Sequence, residues 1–285
     1  MKIHLGTFFG IPLFLHWSWF LILPFVAFMS GIWAIPTVLL LFFFVVLHEY
    51  GHCLAAMYFD VTPRYITLYP LGGVASMPIT GVRPLQEFVV TIAGPAVNLL
   101  FFLLSTGACF ILPGPQEFTD FADLWKQHPF FMLFLNIAIV NFMLGAFNML
   151  PMFPMDGGRM LRSIICGITG NYYISTLIAV RLGQLLCVVG FMLAIYTVNI
   201  LLCITMVIVA LAGQQELVLA QYCSSIQSIR FTVACMLGRA DLHTATIPEL
   251  IEAIEDEEDE EVHEALRSHE LLLLLRDAVE EDKSE

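Results

Sequence analysis

Six stretches of this chain are each long and apolar enough to cross a lipid bilayer, and that dictates most of what the chain can fold into. A spanning helix needs about 20 mostly apolar residues. Roughly Leu13–Ser30, Ala34–Phe59, Gln86–Leu112, Phe130–Leu150, Tyr173–Tyr196 and Val198–Leu219 qualify. Lipid offers no hydrogen-bond partners, so each segment must satisfy its own backbone, which a helix does. The expected fold class is therefore an all-α membrane protein with six transmembrane helices. Only 13% of the residues are charged, about half the share of a soluble domain. Almost nothing joins the last two spans, which predicts a tight helical hairpin. The first apolar stretch lacks a strongly basic leader and a small-residue cleavage site, so it reads as a retained span and not as a signal peptide.

Charge is distributed unevenly. Residues 1–240 are net +1 and residues 241–285 are net −14, so the acidity belongs to a tail. This divides the chain into a polytopic core, 1–220, and an acidic C-terminal tail, 221–285, expected to be helical or disordered. No basic stripe exists for a nucleic acid. Orientation follows Lys/Arg placement. With both termini cytoplasmic in a cell membrane, the inner face receives Lys2, Arg64, Arg83, Arg159, Arg162, Arg230 and Arg239, and the outer face only Lys126. The seven cysteines are scattered and mostly apolar in setting, which suits small core residues better than a disulfide frame.

The second span carries a polar interruption. The unbroken apolar run Leu39 to Leu47 meets His48-Glu49-Tyr50-Gly51-His52. Residues i and i+4 of a helix lie about 40° apart on one face, so two imidazoles there can reach one metal ion. Glu49 beside them can take a proton from water at that metal. Ionisable groups in lipid are expensive and mark functional sites. A polar packing patch would not require this spacing.

A catalytic zinc wants three protein ligands and an open position. Position 58, a His in one soluble metalloprotease class, is Tyr58. Glu87 is one candidate, although an acid at a helix start more simply complements the helix dipole. Asp156 is another, the only carboxylate between Asp123 and Glu216. It follows Pro151 and Pro154, which should break the fourth span. Unwound backbone at membrane depth is tolerated where it lines a cavity or is buried in protein. His48 lies roughly 15 Å from the inner end of its span, and the fourth span ends near Asp156 on the same face.

Taken together, the HEYGH helix, Ala93-Gly94-Pro95-Ala96-Val97-Asn98, and Asn148-Met149-Leu150-Pro151-Met152-Phe153-Pro154-Met155-Asp156-Gly157-Gly158-Arg159 resemble the site-2 protease family of intramembrane zinc proteases. Gly10 to Ser18 also looks like bacterial members, and the similarity covers about residues 1–220. The chain is similar to the minimal, sporulation-factor protease branch. The resemblance implies hydrolysis of a peptide bond in or near a transmembrane segment of a client protein. It implies one Zn2+ per chain on His48, His52 and Asp156, with Glu49 as catalytic base. It also implies that Asn148, and Asn98 with it, position substrate. The implied partners are a membrane-protein substrate and the bilayer. A metal transporter is the rival reading, but it should show internal repeats and ligands leading through both leaflets.

Other features carry weaker expectations. His16, at the start of the first span beside Trp17 and Trp19, reads as an interfacial residue. Asn98, Asn136 and Asn141 read as interhelical hydrogen-bond donors and acceptors, and Asn141 and Asn148, seven apart, share a face. Val61 to Val82 is too short and too broken to span. Its runs Tyr65–Tyr69 and Val74–Met77 around Gly72-Gly73 predict a β-hairpin at the cytoplasmic face, whose free edge could hold an unwound client strand. Beyond the seven acids Glu255–Glu261, Leu271–Leu275 predict a short apolar helix. It suits a second copy or a regulatory partner no better than it suits a solvated tail.

Overall fold

The computed structural model describes residues 2–70, 72–76, 83–115, 121–236 and Glu249. It divides into two compact units, Met1–Gln214 and Gln215–Glu285. In the second unit, residues 215–236 are helical, and the acidic run and the Leu271–Leu275 segment lie outside the described residues. So do residues 77–82, at the end of the expected hairpin segment.

The first unit begins with strands β1 (Lys2–Phe8) and β2 (Ile11–His16), followed by a short helix α1 (Ile22–Ser30). Helix α2 (Ile35–Tyr58) leads to strands β3 (Tyr65–Tyr69) and β4 (Gly72–Ser76). Then come α3 (Pro84–Ile111), α4 (Phe121–Gln127), α5 (Pro129–Asn148), α6 (Asp156–Thr169), α7 (Tyr172–Tyr196) and α8 (Ile200–Met236). Proline opens α2, α3 and α5 in the first turn, where its missing N–H costs nothing. Gly170, at φ 66°, ends α6 in the left-handed conformation. Asn171 then caps α7 by accepting from the Ile174 N–H at 2.9 Å.

Five helices among the described residues are long and apolar enough to cross a membrane: α2, α3, α5, α7 and Leu202–Ser224 of α8. The expected first span is not a spanning helix. Leu13 to His16 belong to β2, a 3-10 turn covers Trp17–Leu21, and α1 has nine residues. Nine residues of helix rise only about 13 Å. The reason lies in a pattern that hydropathy averages away. Ile11, Leu13 and Leu15 alternate as buried residues while their neighbours stay partly exposed, which is the period of a strand. An apolar run of that length does not by itself separate strand from helix.

The fold is consequently α-helical with a four-stranded sheet, ordered β1-β2-β3-β4, in place of an all-α bundle with a lone hairpin. The β3–β4 hairpin does form, with Thr67 opposite Val74. Strand β2 pairs with β3 in parallel, Leu13 opposite Ile66, across more than fifty residues of sequence. The turn at Phe9 and Gly10 has positive φ at both positions, the twist that two-residue hairpins favour. Ile11, Leu13, Leu15, Ile66 and Leu68 pack against Phe42, Val45, Tyr50 and Cys53 of α2. The Tyr50 hydroxyl also donates to the Ile11 carbonyl at 3.2 Å. The sheet is thereby clamped to one side of α2 at the level of the HEYGH motif.

Candidate metal centre

Helix α2 presents different residues to different neighbours, and its pitch of about 100° per residue accounts for the division. Phe42, Tyr50 and Cys53 face the sheet. Gly51 faces α3, where a Cβ would stand 2.9 Å from the Ala93 carbonyl oxygen. His48 and His52 point the same way, and Glu49 falls between the two faces, in a cavity of about 500 Å³ whose wall includes Gly73 and Val74 of β4. Asp156 enters this cavity from the first turn of α6. The Pro151–Met155 segment breaks the path between α5 and α6, as the two prolines predict.

His48, His52 and Asp156 are all buried and converge. The His48 and His52 Nε2 atoms are 3.0 Å apart, and they lie 3.0 and 3.3 Å from Asp156 Oδ2. Each ring engages a partner through its other nitrogen. His52 Nδ1 donates to the Val90 carbonyl at 2.8 Å, and His48 Nδ1 lies 2.5 Å from Asn98 Oδ1. With Nδ1 the donor in both rings, both Nε2 atoms carry lone pairs. Asp156 Oδ2 is buried without a hydrogen-bond partner among the described residues.

Three lone-pair atoms facing one another need a cation between them. Two nitrogen or oxygen ligands about 2.0–2.1 Å from a tetrahedral zinc stand about 3.3 Å apart, close to the separations found here. The donor set therefore fits a metal of the zinc type.

Other expected residues fall in varied places. Asn148, the last residue of α5, lines the cavity and donates its Nδ2 to the Leu144 carbonyl at 3.0 Å. Asn98 is fully buried, bonded to His48 on one side and to Asn141 on the other. Asn136 bridges to Thr37 at 3.0 Å, a bond between helices α5 and α2. His16 bonds the Ser18 hydroxyl at 2.6 Å and stacks near Tyr69. Glu87, the other candidate ligand, is paired with Arg162. That arginine, counted in the sequence among the charges of the cytoplasmic face, is buried between the Phe153 and Tyr172 rings.

Sequence reasoning missed three elements. The Glu87–Arg162 pair joins positions 75 apart and leaves no spacing signature. Val90 contributes only a backbone carbonyl. Gly94 lies where any Cβ would run into both imidazoles, the nearest His48 atom at 2.8 Å; its place in Ala93-Gly94-Pro95 was the available signal. Gly94→Ala should displace both rings and leave the purified protein with a small fraction of its metal, measured by metal analysis. A full complement would show that the rings have room.

The sequence profile of peptidase family M50 matches residues 36–194. This chain belongs to peptidase family M50. The match runs from the start of α2 to the end of α7 and includes every residue of the centre. Among family relatives, the Synechocystis protein sll0528 is 38% identical over 200 residues, covering 64% of this chain and 49% of its own. The zinc metalloprotease MJ0392 of Methanocaldococcus jannaschii is 34% identical over 220 residues, covering 75% and 60%. The chain thus spans about half to three-fifths of the length of these two M50 relatives. A solved site-2 protease structure from Methanocaldococcus jannaschii superposes with a TM-score of 0.55 at 30% identity, over 76% of this chain and 95% of that one.

Proposed function

We propose that this M50 chain is a zinc endopeptidase that hydrolyses a peptide bond in or near a transmembrane segment of a client membrane protein. The observation that carries the reading is the meeting of His48, His52 and Asp156 beside Glu49 in a cavity walled by apolar helices. The relatives named as a zinc metalloprotease and a site-2 protease support it. One zinc per chain would be held by His48 Nε2, His52 Nε2 and an Asp156 carboxylate oxygen. When bound, it supplies Lewis acidity toward a carbonyl oxygen and toward water.

The chain's own residues do the rest. Glu49 takes a proton from the attacking water at its carboxylate and returns it to the leaving amine nitrogen. Asn148, at the cavity wall, offers its remaining Nδ2 hydrogen to a client carbonyl and so positions the scissile bond. Asn98 serves this positioning at one remove, by orienting His48. The Lys/Arg bias supports a multi-pass arrangement in the cell membrane with the α2–α3 connection, which carries β3 and β4, at the cytoplasmic face, and water then enters past β4. The acidic tail is the segment through which a second copy or a regulatory partner would engage.

Client helices must unwind before a peptide bond can reach the site. Strand β4 is the last strand of the sheet and borders the cavity at Gly73 and Val74. An extended client segment adding to that edge would lie beside Glu49. Val74→Pro should cut cleavage by about 10²-fold, the cost of a misplacement near 1 Å, with zinc content unaltered. Cleavage at the normal rate would remove the edge from the account. The function itself is tested by co-expressing the protein with a panel of single-span membrane proteins and scoring metal-dependent fragments. A panel that stays intact while the protein binds zinc would argue against proteolysis.

A further inference from the structure

Behind His48, away from the cavity, hydrogen bonding continues into the bundle through two asparagines. Asn98 on α3 is 0% exposed and Asn141 on α5 is 1% exposed. His48 Nδ1 lies 2.5 Å from Asn98 Oδ1, Asn98 Nδ2 lies 3.0 Å from Asn141 Oδ1, and Asn141 Nδ2 lies 2.9 Å from the Ile137 carbonyl. An imidazole and two amides can each be turned to present either a donor or an acceptor. The far end of the series cannot, because a backbone carbonyl only accepts.

That carbonyl sets the polarity of everything in front of it. Asn141 must turn its Nδ2 to Ile137, which leaves its Oδ1 facing Asn98. Asn98 must then donate through Nδ2, which leaves its Oδ1 facing His48. His48 must donate through Nδ1, so its Nε2 carries a lone pair. Reversing the series would oppose two buried acceptor oxygens at Ile137. His52 needs no such series, since its Nδ1 meets the Val90 carbonyl directly.

We infer that Asn141 is a positioning residue: acting through Asn98, it holds His48 in the Nδ1–H tautomer that leaves Nε2 free to bind a metal. The inference rests on the reading of His48 as a metal ligand. Asn98 alone cannot enforce the tautomer. Without Asn141, its amide can rotate by half a turn and offer Nδ2 to the ring, and the ring proton then moves to Nε2, inside the site. Asn141 lies outside the ligand shell and does not line the cavity.

The test is the zinc dissociation constant of the full-length protein in detergent, read by competition with a chromogenic chelator and without any substrate. Asn141→Leu should weaken zinc binding by about 10- to 100-fold, the usual consequence of losing an outer-shell partner. Asn98→Leu should do the same, and the double variant should bind no more weakly than Asn98→Leu alone. Cobalt substituted into Asn141→Leu should give an altered visible spectrum. Wild-type zinc affinity in Asn141→Leu would overturn the inference. So would additive losses in the double variant, which would assign Asn141 a packing role independent of Asn98. Where Asn141→Leu does not fold, Asn141→Ala is read against the same outcomes. A wild-type protein that binds no zinc would refute the metal site itself, whereas failure of the relay alone leaves affinity intact in wild type and Asn141 variants alike.

Discussion

Glu49→Gln should retain the wild-type zinc content and lose cleavage by about 10²- to 10⁴-fold, the range that a positioned general base contributes. Glutamine is nearly isosteric with glutamate, so the close approach of Gly73, where a Cβ would stand 2.5 Å from the Glu49 Cγ, is undisturbed. The amide cannot accept a proton from water at neutral pH. Nothing in the ligand set changes, because Glu49 is not among the three converging groups. Cleavage of a co-expressed client, normalised to metal content, is the measurement. Activity near wild type would move the base elsewhere in the cavity.

The second large effect is structural. Arg162→Leu should destabilise the fold by about 3–5 kcal/mol, the range found when one partner of a buried ion pair is removed. Its guanidinium donates from Nε to Glu87 Oε1 at 2.9 Å and makes a second bond to the same oxygen from Nη2. The side chains of Arg162 and Glu87 are 6% and 16% exposed. The pair ties α6 to the first turn of α3, and the same α6 carries Asp156 at its start. Thermal unfolding in detergent should therefore shift down together with zinc retention. Removing both charges, as Glu87→Leu with Arg162→Leu, should recover part of the loss, because no orphaned charge remains. An unaltered unfolding curve in Arg162→Leu would show that the pair holds nothing.

Sequence legibility followed the range of the signal. The HEYGH helix is a local pattern, and its two imidazoles emerge on one face as helical pitch requires. Asp156 was legible as a lone carboxylate after a proline-broken span, and the structure brings it within 3.3 Å of both rings. The β3–β4 hairpin was legible from its two strand-like runs, although Gly72 and Gly73, expected as the turn, are the first residues of β4 and pair with Tyr69 and Leu68. What failed was non-local. The parallel pairing of Leu13 with Ile66 has no turn to announce it, and a hydropathy average reads Leu13 to Ser30 as one span because strand and helix are equally apolar. The burial and pairing of Arg162 were not legible because its partner, Glu87, is 75 positions away in sequence. The asparagines were visible as polar residues in apolar helices, but the order in which they join could be read only from the fold.

In the proposed centre, His48, His52 and Asp156 together hold one zinc ion. Metal analysis of the detergent-purified protein and of Asp156→Ala tests it most directly. About one zinc per wild-type chain is expected, as a single three-ligand site requires, and almost none in Asp156→Ala. A full complement of zinc in Asp156→Ala would contradict it.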